Sequence, residues 1–240
     1  DWAALNAAGD WYNVGQTVLF GANSRPLPVR CRGGFRVVGI AIRPAGWHML
    51  FDRPAHHYTD RMLALEEAWG EDAGRLHANV VAAGGDVANI VAAIEKVLLD
   101  RIAARGGPGP DRQMLEFERI ARFDSTMKVT EACERIGMAQ HRLERHCRNS
   151  FGMTPKRVLR RSRFLDMASV MRGLWDPGEE ALAELRYADQ SHLTREFREF
   201  IGLTPGQFAQ TPTPLLTAGL ELRNSRRESD PQSDLWTSAA

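Results

Sequence analysis

The 240-residue sequence predicts an α+β chain: a partial antiparallel β region with helices, followed by an all-α region of two helix-turn-helix units joined by a long helix. Three observations carry this. Before residue 51, short β-branched and apolar runs alternate with Gly and Pro. After residue 86, apolar residues recur at helical spacing. Between residues 136 and 205, one short helical pattern occurs twice.

Strands are expected at residues 17–20, 27–31 and 35–43, punctuated by Gly21, Pro26, Pro28, Gly33-Gly34 and Pro44. The run from Phe35 to Ile42 is the strongest of these, and Gly33-Gly34 suggests a hairpin turn before it. Residues 49–69 are mixed, with short helical turns. Asp86 is placed to cap a helix running to about Arg105, with Val87, Ile90, Val91, Ile94, Val97, Leu98 and Ile102 as its apolar stripe. That stripe is either core or a dimer seam. Residues 1–105 form one expected region, and Gly106-Gly107-Pro108-Gly109-Pro110 is the linker after it.

Beyond the linker, Asp111 caps a helix that turns Met114, Phe117, Ile120 and Ala121 to one face. Val129, Ala132, Cys133 and Ile136 stripe the next helix, which Gly137 is placed to end in a left-handed conformation. A helix over residues 139–150 follows a tight turn. A long helix starts at Pro155 and reaches about Arg172, where Asp176-Pro177-Gly178 separates it from a second pair at 179–186 and 190–200. A last short helix starts at Pro205. Residues 211–240 turn rich in Pro, Thr and Ser and are expected to be a disordered tail.

The repeat aligns Leu143 with Leu193, Arg145 with Arg195, Arg148 with Arg198, Gly152 with Gly202, and Thr154-Pro155 with Thr204-Pro205. Asp189 is the one extra residue in the second copy. Each copy reads as helix, tight turn, helix, the arrangement that lays a second helix in the major groove. Ile136, Met138, Leu143 and Cys147 would pack the first pair, and Leu185, Tyr187, Leu193 and Phe197 the second. The other face then offers Gln140, His141, Arg142, Glu144 and Arg145, and Gln190, Ser191, His192, Thr194 and Arg195. These types suit base edges: Arg pairs bidentately with guanine, Gln with adenine, and Glu accepts from cytosine. Arg148, Arg198, Lys156 and Arg160 suit phosphate.

Charge points the same way. The formal net charge is only +1, but residues 142–172 hold nine basic residues against Glu144 and Asp166. Such a block fits a phosphate-facing patch, or else a solvated helix face.

These residues bring a family into view. Residues 114–210 resemble the DNA-binding domain of AraC/XylS-type bacterial transcription regulators. The run Ala188-Asp189-Gln190-Ser191-His192-Leu193-Thr194-Arg195-Glu196-Phe197, with Phe200-Ile201-Gly202-Leu203-Thr204-Pro205 behind it, carries the resemblance most specifically. The stretch from Gly137 to Pro155 carries it in the first copy. The resemblance implies two helix-turn-helix subdomains over residues 111–210, both contacting DNA in successive major grooves. Two departures stand out: Arg186 occupies a position where the family usually has Gly before its aromatic, and no Arg follows Phe208. More loosely, residues 35–46, Thr59-Asp60 and Glu67-Ala68-Trp69-Gly70 are similar to the sensor half of a subgroup, which implies a cupin-like barrel. Too few strands remain to close one. Because the chain opens on Asp1, a missing N-terminal segment is the expected reason.

Other chemistry has little support. Cys31, Cys133 and Cys147 are odd in number, without a CxxC pair, which suits a reducing cytoplasm and argues against structural zinc. His48, His56 and His57 lack further ligands at metal spacing, and His141, His146 and Cys147 do not share one helix face. No nucleophile elbow, phosphate loop or HExxH motif appears, so no enzyme is expected. No leader is read, and no run approaches the roughly 18 apolar residues that cross a bilayer.

The expected function is sequence-specific DNA binding in transcription regulation, without cofactor or metal. Expected partners are double-stranded promoter DNA, a small-molecule effector, RNA polymerase and a second copy of the chain, in the bacterial cytoplasm and at the nucleoid when bound. The competing reading is a ligand-binding or protein-interaction module with degenerate DNA binding. The effector, the operator and the choice between activation and repression stay open. Of the two readers, the first has the stronger positive surroundings and the intact Gly137 turn, so it is expected to read bases more firmly.

Overall fold

The computed structural model describes residues 1–6, 8–31, 33–34, 36–185 and 190–229. The α+β expectation holds, with a small antiparallel β region followed by helices. Two compact units emerge. One comprises residues 1–23, 27–115 and 146–153, the other residues 24–26, 116–145 and the chain from Thr154 onward.

In the first unit, β1 (Trp2–Leu5) lies between β2 (Trp11–Gly15) and β4 (Val29–Cys31), antiparallel to both. A second, two-stranded sheet pairs β3 (Val18–Phe20) with β5 (Met62–Ala64). Strand alternation turns Trp2 and Ala4 inward, where they meet Val14 and Met62. The short helices α1 (Trp47–Leu50) and α2 (Glu66–Trp69) and the longer α3 (Glu71–Ala82) and α4 (Val87–Arg105) enclose a larger core around Leu50, Phe51, Trp69 and Leu76.

Asp86 caps α4 by accepting from the Asn89 amide at 2.8 Å, and Ile90, Ile94 and Val97 form its buried stripe. Arg101 continues that stripe without stranding its charge. Its Nε donates to the Leu50 carbonyl at 2.8 Å and its Nη1 to Asp72 at 2.6 Å. Hydrogen bonds from Arg75 and Arg101 hold the Asp72 carboxyl below the usual carboxylate range.

Two expectations fail in this unit. Residues 36–43 form no strand, although their composition is the most β-prone in the chain. A strand needs a neighbour to satisfy its backbone, and among the described residues the ladders join only β1 with β2, β1 with β4, and β3 with β5. The segment is left irregular, with Val37, Val38 and Ile40 exposed. Consequently Gly33-Gly34 turns no hairpin. β1, β2 and β5 were not anticipated, because Ala and Asn dilute the β signal of the first two and β5 is only three residues long.

The helical region runs through α5 (Arg112–Phe123), α6 (Val129–Ile136), α7 (Gln140–Phe151), α8 (Pro155–Met171), α9 (Gly178–Leu185), α10 (Gln190–Ile201), α11 (Pro205–Gln210) and α12 (Pro214–Glu228). Asp111 caps α5 through the amides of Gln113 and Met114. Gly137 ends α6 at φ 68°, ψ 39°, and the Met138 amide reaches back to the Cys133 carbonyl at 3.0 Å. That is the closing pattern in which a left-handed residue lets the chain satisfy the helix's last carbonyls. In the second unit, α8, α9, α10, α11 and α12 share a core of Phe164, Met167, Leu185, Phe197, Phe200, Phe208 and Leu220.

The tail expectation is corrected here. Residues 214–228 are helical, and Leu220, Asn224 and Arg227 are buried. Polar composition hid a set of anchors at four- and three-residue spacing that burial in this core makes helical.

Candidate nucleic-acid interface

The residues expected to contact bases sit on α7 and α10, two helices of twelve residues that both begin with Gln. In α7, Leu143 and Cys147 fall one turn apart and are fully buried. This leaves Gln140, His141, Arg142, Arg145 and Arg148 exposed. Glu144 is half-buried and accepts from Gln140 Nε2 at 3.3 Å. Met138 is buried as expected, and Ile136 is half-buried.

In α10, Glu196, Phe197 and Phe200 are buried, and Phe197 packs edge-on against Phe164 with ring centres 5.0 Å apart. Gln190, Ser191, Arg195 and Arg198 are exposed, while His192, Leu193 and Thr194 are half-buried. The expected turn of this copy, with Arg186, Tyr187 and Asp189, lies outside the described residues.

Helices α7 and α10 end alike. Gly152 and Gly202 follow them at φ 76° and 74°. The Thr154 and Thr204 hydroxyls then cap α8 and α11, each with Pro at the first helical position. Gly152 has a second reason to be glycine: a Cβ there would collide with the Thr59 hydroxyl and press on Ala22. The Thr59 hydroxyl donates to the Gly152 carbonyl at 2.9 Å.

An open cleft of about 660 Å³ lies among the start of α6, α8 and α10. Lys128, Lys156, Arg163 and Arg195 line it together with Glu196 and Glu199. Lys156 is exposed. Arg160 is engaged: its Nε donates to Glu196 Oε1 at 2.7 Å, and its Nη2 bonds both Glu196 and Glu199. Arg157 pairs with Glu199 as well. Burial pushes the Glu199 carboxyl up, but hydrogen bonds from Arg160 and Arg157 outweigh this and hold it below its ordinary value. Burial likewise works against the Arg160 charge, and Glu199 and Glu196 more than restore it.

The sequence reading set Arg160 against phosphate and missed this lattice. A signal existed. Arg157 and Arg160 are three apart on one helix, as are Glu196 and Glu199 on another, so the two pairs match in spacing.

Among the described residues, no group of three His, Cys, Asp or Glu could hold a metal ion. No helix among them is long and apolar enough to cross a membrane.

The model of the protein family described as a helix-turn-helix domain matches residues 132–211, which span the end of α6 through α11. No curated protein and no solved structure matches the chain. With two helix pairs in that stretch, each presenting a basic, amide-bearing face, residues 132–211 are similar to a helix-turn-helix domain, the kind of domain that binds DNA.

Proposed function

We propose that α7 and α10 are two reading helices that enter successive major grooves of one promoter segment, about 34 Å apart. The observation that carries this is their likeness: equal length, one buried apolar face, one exposed face of Gln and Arg, and the same Gly and Thr-Pro ending. On α7 the base contacts are Gln140, His141, Arg142, Glu144 and Arg145. On α10 they are Gln190, Ser191, His192, Thr194 and Arg195. Arg148, Lys156 and Arg198 hold phosphate. Arg160, bonded to Glu196 and Glu199, acts on DNA through the placement of α10.

Residues 1–105 serve sensing or self-association. Val87, Val91 and Leu99 are exposed apolar residues on α4 and favour a second copy of the chain as its partner there.

Selection of duplexes from a random pool by the full chain, followed by gel-shift titration, tests the reading. Arg145→Ala and Arg195→Ala are each expected to cost about 1–3 kcal/mol and to relax preference at separate base pairs. If both variants bind the selected duplex like the parent, the reading is wrong.

A further inference from the structure

Helix α12 lies wholly beyond residue 211, where the family match ends, yet it is tied into the domain from both sides. On one side Leu220 is fully buried in the core that α8, α9, α10 and α11 build. Asn224 Nδ2 donates to the Leu174 carbonyl at 3.2 Å, and the Arg227 guanidinium lies 4.1 Å above the Trp175 ring.

On the other side, two arginines reach the end of α5. Arg223 Nη2 donates to the Ala121 carbonyl at 3.1 Å, and Arg227 Nε donates to the Arg122 carbonyl at 2.9 Å. These carbonyls lie in the last turn of α5, where a helix has no partner of its own for them and favours a cation.

Asp166 of α8 joins the two sides. It is 1% exposed and accepts from Arg223 Nε at 2.9 Å, from Arg227 Nη2 at 2.7 Å and from the Ser125 hydroxyl at 2.7 Å. Ser125 belongs to the turn that leads from α5 into α6. The buried charge is thus shared among α8, α12 and the approach to the first helix pair.

We infer that α12 is a strap fixing the α5–α6 side of this unit against the α9–α10 pair, and that Arg223, Arg227 and Asp166 are positioning residues that set the base-pair spacing the two reading helices accept. This rests on the two-helix reading proposed above. Without the strap, the pairs would be joined by the single long helix α8 and its flanks. One inserted base pair moves the far DNA segment by about 3.4 Å and about a tenth of a turn. A braced domain resists that displacement, and a loosened one follows it.

The test uses the full chain and the duplex it selects from a random pool, with one or two base pairs inserted or removed between the two contacted segments. The variant carries Asp166→Asn, Arg223→Met and Arg227→Met together, so that no buried charge is left without its counter-charge. The parent is expected to lose about tenfold in affinity or more per inserted base pair, and the variant less than threefold, with the original duplex bound by both. Overall weakening alone would show as equal losses at every spacing.

If parent and variant discriminate spacing equally, the strap is wrong and the two-helix reading stands. A parent indifferent to spacing sinks both. Should the triple variant fail to fold by circular dichroism, Arg223→Lys is read in the same way. It keeps the charge but cannot reach Asp166, Ser162 and Ala121 together.

Discussion

Glu196 is the acid that most changes how α10 is understood. It is 1% exposed, and Arg160 is its partner. Removing the half-buried Arg160 strands the buried Glu196 carboxylate, so Arg160→Met is expected to lower stability by on the order of 3 kcal/mol. Adding Glu196→Gln should recover most of that loss. Chemical denaturation of the two variants checks it, and equal stability of the single and double variants would refute the pairing. The lattice should also respond to acid. Because Glu199 is held below its ordinary value, it contributes stability that is complete above the usual carboxylate range. That contribution is lost as pH falls through the lowered value. Some individual residues were legible in advance. Asp86, Asp111 and Gly137 each do what cap chemistry demands at their position, because a cap depends only on neighbours within one turn. Glu196 was legible only through the matched spacing of the two pairs, because its partner lies on another helix, 36 positions away.

The helices from α4 to α11 follow their sequence signals because period, caps and breakers agree along each of them. The two Thr-Pro pairs are the sharpest case. Thr204→Ala removes a hydroxyl that accepts from the Gln207 amide at 3.2 Å, and it should cost about 1 kcal/mol. Thermal unfolding of Thr204→Ala against Thr204→Ser measures this, and a Ser variant no better than Ala would show the hydroxyl to be idle. Where the element lacked a local signal, reading failed. Residues 36–43 have β-branched composition but no ladder partner among the described residues, and composition cannot supply a partner. Helix α12 erred in the opposite direction. Its sequence is polar, and its helix depends on Leu220, Arg223 and Arg227 finding distant carbonyls and a distant core.

Taken as one chain, the protein has a formal net charge of +1, and bulk charge gives no hint of a polyanion partner. The positive block at residues 142–172 does, since binding electrostatics follow local charge. If Arg148, Lys156 and Arg198 each neutralise one phosphate, the logarithm of affinity should fall against the logarithm of salt concentration with a slope of about −2.7, and Lys156→Ala should remove about 0.9 of it. Titrations from low to moderate salt measure the slope, and a salt-independent affinity would exclude the phosphate set. The fold class and the paired helices were readable because a repeat is visible without any knowledge of packing. The β region was not, since its sheets join segments distant in sequence such as β3 and β5. The shared ending of α7 and α10 has one more consequence. Each of these helices is a twelve-residue segment bounded by the same punctuation: Gln at its start, a left-handed Gly at its close, then Thr-Pro. If both helices read DNA as proposed, their outward residues are expected to transplant between the two positions while the inward ones stay, so that one chain would serve to compose new pairs of DNA preferences.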